Sequence, residues 1–319
     1  MIDEAGNVIG ELGAGRPTVF LCSHMDTVPG HIPLKVTRNE IYGRGAVDAK
    51  SSLCGMIIAA VESVKEGFNG RIVVAAVTDE ERDSTGMKCL LKTLPTVDYA
   101  VFGEPSGIHN ITVGYRGRLQ IKVVCETPPG HASVPSSFDN AIERAYEVWR
   151  EIQSNLTRGD MKGVTSCITQ IRGGEFPNVA PGKCDFTVDI RIPLRVASTQ
   201  VIDEVQETLK RYSLNNRNVN LNMKVEDVTE AFEADVRSDL VKAFFHAIKE
   251  VTKVQPKLTR KTGTGDVNVF AAKMKCPTVV YGPGDSKLDH TPNEFIDVHE
   301  YVSAIEVYKR AICSLQRGR

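Results

Sequence analysis

"KSSLCGMIIAAVESVKEGFNGRIVVAAVTDEERDSTG", residues 50–86, decides the fold. Its first part, 50–67, is long and apolar with its charges placed late, and Gly67 supplies a helix stop. After a short turn, "RIVVAAV" (71–77) is short, apolar and β-branched, as a strand buried on both faces should be. "TVFLCSH" (18–24), ahead of the helix, has the same character. "YAVFGE" (99–104) reads as a third strand, reached through a shorter helix "TGMKCLLKTL" (85–94) that Pro95 stops. Strand and helix alternate, which predicts an α/β domain built on an open, mostly parallel sheet with helices on its faces.

The rhythm changes near 113. "GRLQIKVVCET" alternates with period two, "NAIERAYEVWREIQSNL" is an amphipathic helix, and "VTSCITQIRGG" and "KCDFTVDIRIP" are strands. "STQVIDEVQETLKRYS" is a second helix and "NVNLNMKVED" a last strand, so the order is β-α-β-β-α-β with helices on one face. After about 228 the first pattern returns in "SDLVKAFFHAIKEVT", "TVVYGPG" (278–284) and "HEYVSAIEVYKRAICSL". An α+β domain, 113–227, is therefore expected as an insertion into an α/β domain made of 1–112 and 228–319.

At 319 residues the chain has room for one large or two ordinary domains. Its formal net charge is -1 and its basic residues are spread along the chain, which argues against nucleic acid or an anionic membrane as the main partner. No apolar run approaches the roughly 18 residues of a membrane span, and "MIDEAGNVIGELG" has neither a basic nor an apolar leader region. The eight cysteines form no C-x-x-C pair, and several sit inside apolar runs such as "VFLCSH" and "KVVCET". Reduced cysteines and a cytoplasmic location are the expectation.

Open α/β sheets place ligands beyond the C-terminal ends of their strands. There this chain puts His24 and Asp26 in "SHMDTVPG", Glu80 and Glu81 in "TDEE", Glu104 in "FGEPSG" and His290 in "DHTPNEF". Asp48, in "YGRGAVDAK", falls just before the long helix. His24 and Asp26 are i and i+2 in extended chain, so one can ligate a metal while the other braces it. Singly, each has an ordinary structural use: a histidine past a strand, an N-cap, a solvated loop acid. Together they are two histidines and three or four carboxylates at one sheet edge. Nitrogen and carboxylate donors without thiolate suit catalytic zinc, with manganese or cobalt as substitutes. They are too many for one ion. Two ions sharing a carboxylate bring roughly +4 of charge, which accounts for the otherwise repulsive run Asp79, Glu80 and Glu81.

"SHMDTVPG", "GRGAVDAKSS", "TDEERDSTG", "FGEPSG", "GHAS", "PNVAPGKCDFTVDIR" and "DHTPNEF", in that order, resemble the di-zinc aminoacylase/carboxypeptidase family of metallopeptidases. Acetylornithine deacetylase and succinyl-diaminopimelate desuccinylase belong to it. The resemblance runs through essentially the whole chain. "YGPGDSKLDHTPNE" and the short inserted domain are most similar to the archaeal and thermophile-type deacylases. Those release lysine or ornithine from a precursor blocked by acetyl or by the C-terminal glutamate of a small acidic carrier protein.

The resemblance implies two zinc ions per chain, one held by His24 and Glu104, the other by Glu81 and His290, with Asp48 bridging and a cis peptide at Asp48–Ala49. It implies that Asp26 orients the His24 imidazole and that Glu80 is the general base and then acid. The inserted domain would serve as lid and homodimer contact, with His131 reaching the partner's site to bond the developing oxyanion. Arg116, Asn178 and Arg191 would hold the substrate carboxylate. The Gly-rich "KTGTGDVN" (261–268) offers backbone N–H groups of Gly263 and Thr264 as a substrate cradle. "EAGNVIGELGAGRP" reads as the end of an N-terminal region that such relatives carry, so lower stability or added self-association is expected. The expected function is metal-dependent hydrolysis of an N-acyl or glutamyl amide on lysine or ornithine. Alternatives are a succinyl-diaminopimelate desuccinylase, a glutamate-releasing carboxypeptidase or dipeptidase, or a catalytically impaired binding protein.

Overall fold

The alternation read from residues 50–86 is realised as a helix, Lys50–Lys65, between parallel strands Thr18–His24 and Arg71–Val77. The computed structural model describes residues 1–316. They divide into two units, one of Met1–Tyr115, Phe232–Lys261 and Gly265 onward, the other of Arg116–Ala231 with Thr262–Thr264. The boundaries fall a few residues beyond 112 and 227. Strand Asn110–Tyr115 still belongs to the large sheet, and Phe232–Glu233 pairs back onto it.

In the first unit an eight-stranded sheet has a central parallel block in the order Arg71–Val77, Thr18–His24, Tyr99–Phe102, Thr278–Val280. Every residue of Thr18–His24 is buried, as its unbroken apolar run requires of a strand covered on both faces. Phe20 stacks on Phe270 with ring centroids 5.4 Å apart. The helix Lys50–Lys65 can lie close to the sheet because Gly103 carries no side chain. A Cβ there would come within 2.9 Å of the Ser52 Cβ and 3.0 Å of that of Ser23. Val8–Leu12 adds an antiparallel edge strand. On the outer side of the long helix, Ile57, Ile58 and Val61 are exposed, as is Val302 of the helix Val298–Leu315.

The second unit is a four-stranded antiparallel sheet in the order Thr165–Gly173, Lys183–Ile192, Gly117–Glu126, Asn220–Thr229. Its helices Ala141–Asn155 and Ser198–Asn215 bury Val148, Ile152, Val201 and Val205 against Ile121, Val123, Phe186 and Val188. Several elements of the first unit went unread in the sequence, among them Val8–Leu12 and Asn110–Tyr115. Residues 257–273 form a strand, Lys257–Lys261, and a helix, Asp266–Lys273, around the glycine-rich run. Among the described residues no helix is long and apolar enough to cross a membrane.

Candidate metal centre

The parallel block delivers the expected acids and histidines to one edge. His24 is the last residue of its strand, Glu80 and Glu81 follow Arg71–Val77, and Glu104 follows Tyr99–Phe102. Asp48 immediately precedes the cis peptide Asp48–Ala49 and the long helix, and His290 lies in the loop after Thr278–Val280 with φ of 61°.

Asp48 faces both histidines. Its Oδ1 lies 3.2 Å from His24 Nε2, and its Oδ2 lies 3.1 Å from His290 Nε2. Glu81 Oε2 is 3.0 Å from His290 Nε2, and Glu104 Oε1 is 3.9 Å from His24 Nε2. Two donors on one tetrahedral zinc stand about 3.4 Å apart, from metal–ligand bonds of about 2.1 Å. The donor set therefore fits two ions with Asp48 between them, one flanked by His24 and Glu104 and the other by His290 and Glu81. Donor atoms of His24, Asp48 and Glu81 all lie within 4.8 Å of one another.

The three consecutive acids do three different things. Asp79 has φ of 63°, a left-handed conformation that aspartate tolerates, and closes the turn. It accepts from the Thr85 hydroxyl at 2.6 Å, and its carbonyl accepts from the Ser84 N–H at 2.8 Å. Glu81 turns to His290. Glu80 turns to Gly265, where an added Cβ would stand 2.7 Å from Glu80 Oε1. Asp26 fixes this divergence, because its carboxylate accepts from the N–H groups of Glu80 and Glu81, each at 3.3 Å. Its relation to His24 differs from the expectation. His24 Nδ1 meets the Asp26 carbonyl oxygen at 3.0 Å, while the carboxylate stays 3.7 Å away. The brace on the imidazole is therefore main-chain, and the Asp26 carboxylate braces the two glutamates.

Without metal, the acids crowd one another. Desolvation and the charge of Glu104 push Glu80 well above the usual carboxylate range. Burial pushes Glu104 up to about 7. Burial opposes a charged His24, but the Asp48 hydrogen bond and the surrounding carboxylates outweigh it and raise the imidazole. Burial also opposes a charged Asp48, but the His24 hydrogen bond and the nearby cations win, so its carboxyl is lowered. Such a cluster is arranged to hold cations.

The remaining expected residues lie in the second unit, in two groups. His131 and Asn178 meet where Gly130–His131 pairs with Val179–Ala180, and the Ala132 N–H donates to the Asn178 carbonyl at 3.0 Å. The His131 Nδ1 accepts from the Ser133 N–H at 3.2 Å, which leaves the proton of the neutral ring on Nε2. Arg116, Arg191, Gly263 and Thr264 form the other group. Arg191 donates to Thr264 Oγ1 at 3.2 Å and to Asp189 at 2.7 Å, and the Thr264 hydroxyl donates to the Arg116 carbonyl at 2.8 Å. Arg191 is thus already paired with an acid, and it is Gly265 that stands against Glu80.

Sequence reasoning passed over Glu294, four residues after His290. It is 1% exposed, and its Oε1 accepts from the N–H groups of Val47 at 2.9 Å and Asp48 at 3.2 Å. Its Oε2 pairs with Arg44 at 2.9 Å. A buried acid in a loop carries no periodic signature, and only its place in "DHTPNEF" marked it.

The sequence pattern of peptidase family M20/M25/M40 matches residues 20–314. The chain belongs to this family. As an M20/M25/M40 member it is a metal-dependent amide hydrolase, the chemistry for which the donor set is suited. A Saccharolobus islandicus protein named LysW-lysine/LysW-ornithine hydrolase is 33% identical over 298 residues, covering 93% of this chain and 81% of that one. A Pyrococcus horikoshii protein given the same name provisionally is 34% identical over 317 residues, covering 99% and 87%. Among solved structures, aminopeptidase PepT of Bacillus cereus superposes with a TM-score of 0.82 at 22% identity, covering 97% of this chain and 84% of its own. The Bacillus subtilis YXEP protein, described as a dinuclear metal binding peptidase of the M20 family, gives 0.78 at 14% identity, covering 98% and 86%. At those identities the likeness is one of fold.

Proposed function

We propose that this M20/M25/M40 chain releases lysine or ornithine by hydrolysing the amide that joins it to the C-terminal glutamate of an acidic amino-group carrier protein. The split of the two Asp48 oxygens between His24 and His290 is the observation that carries the hydrolase part. The names of the curated relatives support the carrier and the released amino acids.

Zinc is the proposed ion, two per chain, with cobalt or manganese as substitutes. Ions bound there supply Lewis acidity and bring water to nucleophilic strength near neutral pH. Glu80, held between Asp26 and Gly265 and ligating nothing, takes the proton this water gives up. It then passes that proton to the departing amine. His131, protonated on Nε2, is suited to donate to the oxyanion, from the partner subunit of a homodimer. Arg116, Asn178 and Arg191 are the proposed carboxylate-binding residues, with Thr264 bonded to Arg116 and Arg191, and Gly263 and Thr264 the proposed substrate cradle. The second unit is the proposed lid and dimer contact. Its strand Thr165–Gly173 is a sheet edge with residues exposed on both faces, and Tyr146 and Ile142 are exposed on the adjoining helix. The proposed location is cytoplasmic.

The test is hydrolysis of a carrier-glutamyl-lysine conjugate, acetyl-lysine and acetyl-ornithine by the zinc-loaded protein, with zinc counted per chain. Two ions per chain and a clear preference for the conjugate are expected. Equal rates on conjugate and acetyl-lysine would remove the carrier from the reading. No hydrolysis of any of the three would remove the reading itself.

A further inference from the structure

Lys261, the first residue of the run "KTGTGDVN", has no part in the proposed metal binding or proton transfer. It ends the strand Lys257–Lys261, which runs parallel to Asn110–Tyr115, and its register partner there is Tyr115. The Lys261 ammonium stands 5.8 Å from the centre of the Tyr115 ring, within cation–π reach. Its charge favours the ionised forms of Asp48, Glu104 and Asp289, yet Lys261 forms no salt bridge among the described residues. Together with Ser106, His109 and Asp285 it lines a cavity of about 470 Å³.

Tyr115 adds a second unspent group. It is 5% exposed, and its hydroxyl has no hydrogen-bond partner among the described residues. A buried O–H without an acceptor is costly unless something else supplies one. The charged groups whose fields reach this phenol are Glu104, Glu80, Asp48 and Asp289.

Lys261 is thus a cation without a salt bridge among the described residues, and Tyr115 an unbonded donor whose ring centre lies 5.8 Å from it. We infer that Lys261 and Tyr115 form a carboxylate subsite beside the metal centre, the ammonium pairing with the anion and the phenol donating to one of its oxygens. This rests on the proposed hydrolase reading, in which a glutamyl-lysine or glutamyl-ornithine linkage bears a carboxylate on each side of the scissile amide. Arg116, Asn178 and Arg191 are proposed for one of these. Lys261 and Tyr115 take the other.

Binding is measured calorimetrically on the zinc-loaded full chain carrying Glu80→Gln, so that affinity is read without turnover. N-acetyl-lysine has only the amine-side carboxylate, γ-glutamyl-lysinamide only the acyl-side one, and N-acetyl-lysinamide neither. Lys261→Met should weaken one of the first two at least roughly tenfold, as loss of a charge-assisted bond does. It should not weaken N-acetyl-lysinamide, and the probe affected tells which carboxylate the subsite reads. Tyr115→Phe should weaken the same probe, and Lys261→Arg should restore most of the loss. Unchanged affinity for all three probes in Lys261→Met, or equal loss across all three, overturns the subsite. Turnover by the unaltered protein is scored separately. Its absence alongside intact probe selectivity would sink the hydrolase reading while leaving the subsite in place.

Discussion

Glu294 holds Asp48 by its backbone. One carboxylate oxygen takes the N–H groups of Val47 and Asp48, and the other takes Arg44, whose guanidinium also donates to the Thr291 carbonyl at 3.1 Å. Thr291 is the neighbour of His290. A buried ion pair thus joins the loop bearing Asp48 to the loop bearing His290.

That clamp would make the two proposed ion positions unequal. His24 is 1% exposed at a strand end, whereas His290 is 53% exposed on a loop. Glu294→Ala strands Arg44 in a buried setting and frees the His290 loop, a class of change that costs about 3–5 kcal/mol. The expected outcome is a lowered melting temperature and zinc content falling from two towards one per chain. Glu294→Gln, which keeps an acceptor for Val47 and Asp48, should retain more of the second ion. Equal zinc content in both variants and the unaltered protein would refute the clamp.

Glu80 and Glu81 are adjacent but separable. Glu80→Gln should keep both ions and lower kcat by about 10² to 10⁴, the range of a general base. Glu81→Gln should lose an ion first and activity as a consequence. Metal analysis beside steady-state rates distinguishes them, and loss of metal in Glu80→Gln would contradict the assignment of base and ligand.

The acids of the centre set a pH signature for the metal-free protein. Burial raises Glu104 from 4.5 to about 7, and His24 is raised as well. Groups raised in the folded state bind more protons there than in the unfolded chain, so their contribution to stability is lost as pH rises. For Glu104 the loss runs from about pH 4.5 to about 7. Bound cations reverse the sign, since they need the same groups deprotonated. The gap in melting temperature between zinc-loaded and metal-free protein should therefore widen from about pH 5.5 to about 7.5. A gap independent of pH would mean these groups do not hold the ions.

The strands and their order of use were legible because Thr18–His24 and Arg71–Val77 are unbroken apolar runs, and polar residues at their ends stand out against them. The candidate donor set, which the structure brings to one edge, was legible for the same reason, and the family resemblance proposed which carboxylate would be shared. Tertiary contacts were hidden. Nothing in "TDEERDSTG" says that Asp79 turns away through a left-handed backbone, or that the Asp26 carboxylate takes the main-chain N–H groups of Glu80 and Glu81 while its carbonyl meets the imidazole. The glycines of 261–268 masked a strand end and a helix start, because glycine weakens both signals at once.

Gly265 gives the sharpest test of how Glu80 is positioned. Its φ of -152° is extended backbone that any residue adopts, so alanine there meets no conformational penalty. Its Cβ would nonetheless stand 2.7 Å from Glu80 Oε1, the end of a side chain that can swing away. The fold and the ions should survive Gly265→Ala while the base is moved from its place. Displacing a catalytic group by about 1 Å costs on the order of 10² in rate. The expected outcome is kcat reduced by about that factor, with two zinc ions per chain, an unchanged melting temperature and little change in KM. A variant that kept its full kcat would show that the proton is not carried from the position Glu80 occupies against Gly265.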